Sequence, residues 1–202
     1  MKEKEKISNY SQDLFFKSGF YKITMDEIAK GLRISKKTIY KHFPSKKNLL
    51  EAIVNSFLLS TQSRILKNIG EQENAILKMK ALSELFAELS LKMNRKMLYD
   101  LQIHMPELWK TVESFREKLI RNIWEDIINQ GKKEGYIVNK PNDIIITFIL
   151  SSIQSIINPT FLINHNYSMN EAFKITFDLI IQGLLTAEGI KVYNKIEKEN
   201  KK

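Results

Sequence analysis

The sequence predicts an all-α protein, a three-helix N-terminal domain followed by a larger helical domain. Three observations carry this. Helix breakers are few, with 7 Gly and 4 Pro in 202 residues, which leaves room for long helices rather than many short strands. Apolar residues recur near the helical period from the first turns onward. Capping residues, Thr24, Ser35 and Ser45, stand directly before successive periodic stretches. A hydrophobic content of 43% argues against disorder, and the length suffices for a sizeable core.

Residues 4–18 read as the first helix, with Ile7, Tyr10, Leu14 and Phe15 near the period and Gly19 at the C′ position. Phe16 and Phe20 extend its apolar side, which predicts a small aromatic core. Thr24 opens the second helix. Thr24-Met25-Asp26-Glu27 is a capping box in which Glu27 reaches back to the cap amide, and its acids suit the positive end of the helix dipole. Met25, Ile28, Ala29 and Leu32 give this helix one buried face. Gly31-Leu32-Arg33 makes a turn, Ile34 anchors it, and Ser35 caps a third helix over residues 36–42. Two short amphipathic helices across a tight turn form a helix-turn-helix.

The third helix departs from the dipole rule, because Lys36 and Lys37 stand in its first turn. A cation there costs about a few tenths of a kcal/mol. The next helix, capped by Ser45, repeats the departure with Lys46 and Lys47. Two helix starts that gather lysines around exposed amides point to an external polyanion. Ile39 and Phe43 face inward in this register, leaving Lys36, Lys37, Thr38, Tyr40, Lys41 and His42 on the open side. Charge distribution agrees. The formal net charge is +9, and with 27 Lys against 5 Arg that total reflects a compositional bias; but residues 1–50 carry +7, residues 51–189 carry −1 and residues 190–202 carry +3.

The run from Gly19 to Leu50, with Thr24, Ile28-Ala29, Ser35, Thr38-Ile39-Tyr40, His42-Phe43 and Ser45-Lys46 in register, closely resembles the DNA-binding domain of TetR-family transcriptional regulators. The resemblance implies that residues 35–42 enter the major groove of double-stranded DNA while Thr24, Tyr40, His42 and Lys46 hold phosphates. The expected DNA-facing set is therefore Thr24, Ser35, Lys36, Lys37, Thr38, Tyr40, Lys41, His42 and Lys46. Two residues depart from the family's common pattern. Arg33 stands in the turn where Gly is frequent, and a left-handed backbone there would cost about 1 kcal/mol. Lys37 also replaces a frequent Gly, adding a cationic arm near the bases.

Residues 45–68 read as a long helix with Leu49, Leu50, Ile53, Val54, Phe57, Leu58, Ile65 and Leu66 at its apolar positions, ended by Gly70. By resemblance it transmits ligand state to the DNA-reading head. Residues 72–103 form one or two helices, with Ile76, Leu77, Leu82, Leu85, Phe86, Leu89 and Leu91 core-like, and Pro106 starts another over residues 106–134. The resemblance implies a ligand cavity among these central helices, with Tyr99, Gln102, His104, Trp109 and Trp124 as its polar or aromatic candidates for an unidentified small molecule. Residues 141–164 are apolar on nearly every side, so one face packs on its own subunit and the other needs a partner. With a helix over residues 168–187 they resemble the pair through which such proteins form homodimers, and Phe148, Ile149, Ile153, Ile156, Phe173, Phe177, Ile181 and Leu184 are the expected interface. The expected divisions are residues 1–48 (helix-turn-helix), 49–189 (ligand binding and dimerisation) and 190–202 (charged tail).

The absence of cysteine excludes disulfides, thiolate zinc sites and thiol nucleophiles. The N-terminus is charged and has no apolar signal core, which predicts a cytoplasmic protein. Residues 144–163 are about long enough to span a membrane, but Gln154, Asn158 and Pro159 favour a buried helix. With three histidines, His42, His104 and His165, no phosphate loop and no nucleophile beside a base, the sequence predicts neither an enzyme nor a cofactor or metal protein. The expected function is a homodimeric regulator, a repressor that a small molecule releases from a near-palindromic operator. The alternative is a ligand-independent DNA-organising or division-linked protein on the same fold.

Overall fold

A computed structural model describes residues 2–92 and 94–199, and among these it contains eleven α-helices. The N-terminal set is α1 (Glu3–Ser18), α2 (Met25–Leu32) and α3 (Lys36–His42). They are followed by α4 (Lys46–Gly70), α5 (Ala75–Lys92), α6 (Arg95–His104), α7 (Pro106–Lys133), α8 (Asn142–Ile156), α9 (Pro159–Asn164), α10 (Met169–Leu184) and α11 (Ala187–Glu199). The only pairing of strand type among the described residues is an isolated bridge between Ile137 and Leu185.

The caps set the helix starts as the local sequence requires. Thr24 Oγ1 accepts from the Glu27 amide while Glu27 accepts from the Thr24 amide at 2.6 Å, closing the capping box of α2. Ser35 and Ser45 accept from the Thr38 and Asn48 amides and start α3 and α4. Arg33 ends α2 with φ 56° and ψ 41°, the left-handed conformation that the turn demands of it.

Two hydrophobic cores organise the packing. The first holds Ile7, Phe15, Phe16 and Phe20 against Ile28, Ile39, Phe43 and the start of α4, and it also takes in Met97, Leu98, Leu101, Leu108 and Trp109 from α6 and α7. The N-terminal core therefore reaches well beyond residues 1–48. Gly31 belongs to this packing, since a Cβ there would overlap the Tyr10 ring. The second core joins α4, α5, α7, α8 and α10 around Trp124, Ile127, Ile149, Phe177 and Ile181.

Several expectations are corrected. The single helix over residues 141–164 is two, because Pro159 has no amide to donate and Asn158 caps α9 by accepting from the Thr160 amide. Leu91 is 74% exposed and Leu66 55% exposed, on the outer sides of helices whose core faces are already filled by Leu85, Leu89, Ile65 and Ile69. The charged C-terminus is helical through Glu199, with Val192, Tyr193 and Ile196 against the second core; residues 200–202 lie outside the described residues. Among the described residues no helix is long and apolar enough to cross a membrane.

The left-handed residue in the turn gives a direct test. Arg33 is exposed, and among the described residues its side chain has no hydrogen bond or ion pair. Arg33→Gly is expected to stabilise the fold by about 1 kcal/mol, raising the thermal midpoint by about 2–4 °C for a chain of this size. Calorimetry of the two proteins checks it, and a lowered midpoint would mean that the arginine side chain contributes more than the backbone strain it imposes.

Candidate nucleic-acid interface

Helix α3 presents a short basic face. Ile39 is fully buried and Phe43 nearly so, which pins the opposite side of the helix outward. Lys37, Tyr40 and Lys41 lie exposed there, and among the described residues neither lysine has an ion-pair or hydrogen-bond partner. Ser35 Oγ and Thr38 Oγ1 are 2.8 Å apart at the helix start, so both hydroxyls are held in place at the α3 N-terminus.

The other sequence-chosen cations have partners inside the chain. Lys36 Nζ sits 2.7 Å from Asp26, bridging α3 to α2, and this carboxylate raises the Lys36 ammonium above its ordinary pKa. Lys47 lies 3.9 Å from Glu51 one turn on. His42 Nε2 is 2.9 Å from Glu3 of α1. Lys46 is turned inward: Nζ donates to the Tyr21 carbonyl at 2.9 Å and lies 5.7 Å from the centre of the Phe20 ring. Burial presses its pKa down, against the opposing pull of Asp100 and Glu27. Lysines at two helix starts thus have two explanations, because three of the four are engaged by acids or a carbonyl that are near in space and remote or unmarked in sequence. Lys37 is the exception.

Behind this face, α6 grips the α1–α2 connection. Asp100, almost fully buried, accepts from the Tyr21 amide at 2.8 Å. The Tyr21 and His104 rings stack with centroids 3.6 Å apart and planes 9° apart. The Asn94 amide donates to the Phe16 carbonyl and its side-chain amide to the Lys17 carbonyl, each at 3.0 Å. Gly19, at φ 78°, has no room for a Cβ beside Asp100. Sequence reading missed Asp100 and Tyr21 altogether; the one available sign was an acid set between the apolar Met97, Leu98 and Leu101.

The ligand candidates are mostly elsewhere than expected. An apolar cavity of about 170 Å³ lies among α4, α5, α7, α8 and α10, walled by Val54, Phe57, Phe86, Phe115, Ile123 and Phe173 among others. Of the five candidates only Trp124 lines it. Trp109 is packed in the N-terminal core, and His104 is taken by the Tyr21 stack. Gln102 Nε2/Oε1 amide faces Thr160, with Oε1 3.3 Å from Oγ1, and Tyr99 points toward solvent. Tyr99, Gln102 and His104 lie on faces of α6 turned away from the cavity, which the faces of Met97, Leu98 and Leu101 line instead, and spacing along the chain does not say which face that is. Sequence reading did not select Arg116, the one charged side chain in the cavity wall.

Residues 11–53 match the family model of bacterial regulatory proteins of the TetR family. Those residues carry a DNA-binding domain of the TetR type. Over 173 residues it is 25% identical to an uncharacterized HTH-type transcriptional regulator of Bacillus subtilis, YvaF, covering 83% of this chain and 88% of that one. It is also 25% identical over 167 residues to the nucleoid occlusion factor SlmA of Marinobacter nauticus, covering 79% and 86% of the two chains. The fold matches a TetR-family transcriptional regulator from Marinobacter aquaeolei with a TM-score of 0.75 at 19% identity, over 98% of each chain. Residues 11–53 thus supply a DNA-binding helix-turn-helix, and the similar proteins named above are an HTH-type transcriptional regulator, a nucleoid occlusion factor and a TetR-family regulator.

Acid should loosen the reading head through Glu27. Its carboxylate accepts from the Thr24 amide and hydroxyl, and those hydrogen bonds lower its pKa below the ordinary carboxylate value. A depressed folded pKa means that the stabilisation is complete above the unfolded value of about 4.3 and disappears as pH falls through the folded one. The stability advantage over Glu27→Gln is therefore expected at pH 7 and expected to shrink below pH 4. Thermal melts of both proteins across this range check it; a gap that stays constant with pH would remove Glu27 as the titrating cap.

Proposed function

We propose that this regulator is a homodimeric repressor whose recognition helix α3 reads a near-palindromic operator and whose release is driven by a small organic molecule. The observation that carries the reading is the cavity. Its wall combines residues of the second core with Phe16, Val54, Met97, Leu98 and Leu101 of the core beneath the DNA-reading head. A molecule that fills it touches both cores at once, so it favours one arrangement of α1, α4 and α6 over another. Such a difference in affinity between two arrangements is what a population shift requires.

In this reading Lys37, Tyr40 and Lys41 form the centre of the DNA contact, with Thr24, Ser35, Lys36, Thr38, His42 and Lys46 around it. Backbone phosphates would be held by the free lysines and by the hydroxyls at the helix starts. Lys37, in the first turn of the recognition helix, is placed to reach base edges as well.

Most of the expected dimer set packs within a single subunit. Ile149, Phe173, Phe177, Ile181 and Leu184 are buried in the subunit's own core, and Ile153 and Ile156 are half-buried against it. Of the expected set Phe148 alone is exposed, at 54%. The apolar side chains left outward on α8 and α10 are Ile144, Phe148, Ile175 and Leu179. The more continuous stripe of α10 faces its own core, and the sparser one around Ile175 is the face we assign to the partner subunit.

Two measurements test the reading. Binding to the DNA upstream of the protein's own gene, followed by fluorescence anisotropy over a range of salt, is expected to be specific and steeply salt-dependent. Each of Lys37→Ala and Lys41→Ala should flatten the slope of log affinity against log salt by about 0.9 per lost phosphate contact, and an unchanged slope would take that lysine out of the interface. Placing glutamates at Ile175 and Leu179 together should yield monomers in sedimentation and weaken operator binding at least tenfold. A dimer that survives this change would move the interface elsewhere.

Similarity to a nucleoid occlusion factor supports a second reading, a DNA-organising protein that occupies many sites. Genome-wide occupancy separates the two. One or a few promoter sites fit the repressor, and hundreds of dispersed sites fit the organiser.

A further inference from the structure

Arg116 is out of place by ordinary packing rules. The chain meets nearly all its needs for positive charge with lysine, and only 5 of its 32 basic residues are arginine. One of these five stands on the inward side of α7, between Phe115 and Leu119, and lines a cavity that is otherwise almost wholly apolar. Its side chain is only 25% exposed. A guanidinium stays charged under all ordinary conditions, so partial burial costs free energy unless its donors are met.

They are met poorly. Among the described residues the one hydrogen bond of Arg116 is from Nη2 to Glu113 Oε1, at 3.3 Å. Charge-assisted bonds of this kind usually run about 2.7–2.9 Å, and a well-paired arginine engages a carboxylate through two parallel N–H groups. Glu113 is on the same helix three residues earlier, which restricts it to a single long contact. Burial accordingly presses the guanidinium below its ordinary pKa, and Glu113 offsets this only in part.

The position of Arg116 matters as much as its charge. A surface groove between α7 and α8, lined by Lys110, Glu113, Glu117, Arg121, Ser151 and Gln154 among others, shares Arg116, Ile120 and Ile153 with the internal cavity. Arg116 therefore stands where the polar groove meets the apolar interior. The groove holds about 380 Å³ and the interior about 170 Å³. An apolar cavity of about 150 Å³ accommodates benzene, so the interior suits an apolar body of about six carbons, with further atoms reaching into the groove.

We infer that the effector is an amphipathic organic carboxylate, its apolar body in the cavity and its carboxylate paired through two bonds to Arg116 at the mouth. The inference rests on the small-molecule reading above and specifies the chemical class. Arg116 is then the specificity-determining residue: it discriminates charge, while the phenylalanine and isoleucine walls admit any apolar body of the right size.

The test uses octanoate and 1-octanol, which share a chain and differ in the head. Calorimetric titration of the full chain at pH 7.5 is expected to show octanoate binding at least tenfold tighter than 1-octanol. Arg116→Gln should abolish that preference while leaving 1-octanol binding within about twofold. Circular dichroism checks that the variant is folded, and the comparison on the unaltered chain needs no variant. Equal affinity for the two probes, tighter 1-octanol binding, failure of both to bind, or a preference that persists in Arg116→Gln would each overturn the proposal. Operator release distinguishes its failure from that of the repressor reading. Arg116-dependent octanoate binding that leaves operator affinity unchanged would keep the site and sink ligand-driven release by this class. Release by a compound whose binding ignores Arg116 would keep the repressor and sink the carboxylate site.

Discussion

The arrangement of this protein depends on one buried interaction, the hold of α6 on the α1–α2 connection. Asp100 is a polar side chain in a largely apolar setting, and a buried carboxyl group is unfavourable unless hydrogen bonds meet it. Here it accepts from the Tyr21 amide and lies near the Lys46 ammonium, which in turn donates to the Tyr21 carbonyl. The loop before α2 is thereby tied at both its amide and its carbonyl, with the Tyr21 ring stacked on His104 beside them. A helix-turn-helix of three short helices buries little apolar surface by itself. In this chain Met97, Leu98, Leu101 and Trp109 complete its core from the other half of the molecule.

That dependence explains how a remote site could act on the reading head. A DNA-binding unit with a closed core would move as a rigid body on a flexible joint, indifferent to what fills the second half. A unit whose core is completed by α6 and the start of α7 cannot shift without repacking them, and packed interiors respond to changes of even a methylene. The cavity touches Phe16, Met97, Leu98 and Leu101 on one side and Trp124 and Phe177 on the other. In the proposed reading, occupancy and head position would be linked by direct contact, with no need for a long chain of intermediate residues.

Electrostatics on the DNA-binding face show a similar economy. Cations at helix starts are unfavourable in isolation, and the chain relieves most of them internally: Lys36 by Asp26, Lys47 by Glu51, Lys46 by a carbonyl. Among the described residues Lys37 is the lysine of these two helix starts left without a partner, and it shares the exposed face of α3 with Lys41, opposite the buried Ile39. The lysine pattern is thus a signal of a polyanion partner only after the internal pairs have been set aside.

Much of the fold was legible in the sequence because the governing interactions are local. The capping box at Thr24 and Glu27, the serine caps at Ser35 and Ser45 and the inward register of Ile39 and Phe43 involve residues within about one turn of each other, so spacing alone determines them, while the left-handed turn at Arg33 was expected from the family resemblance. The likeness of residues 11–53 to a family of DNA-binding regulators rests on the same short run. Only the tertiary structure decided the rest. The stripe of Phe173, Phe177 and Ile181 reads equally well as a core or as an interface, and periodicity has no means of saying which neighbour arrives first. Trp109 and His104 read as ligand groups until α6 is seen packing them against the reading head. Arg116 reads as a surface cation until α4, α5, α8 and α10 close around it, because burial is a property of what surrounds a residue and not of the residue itself.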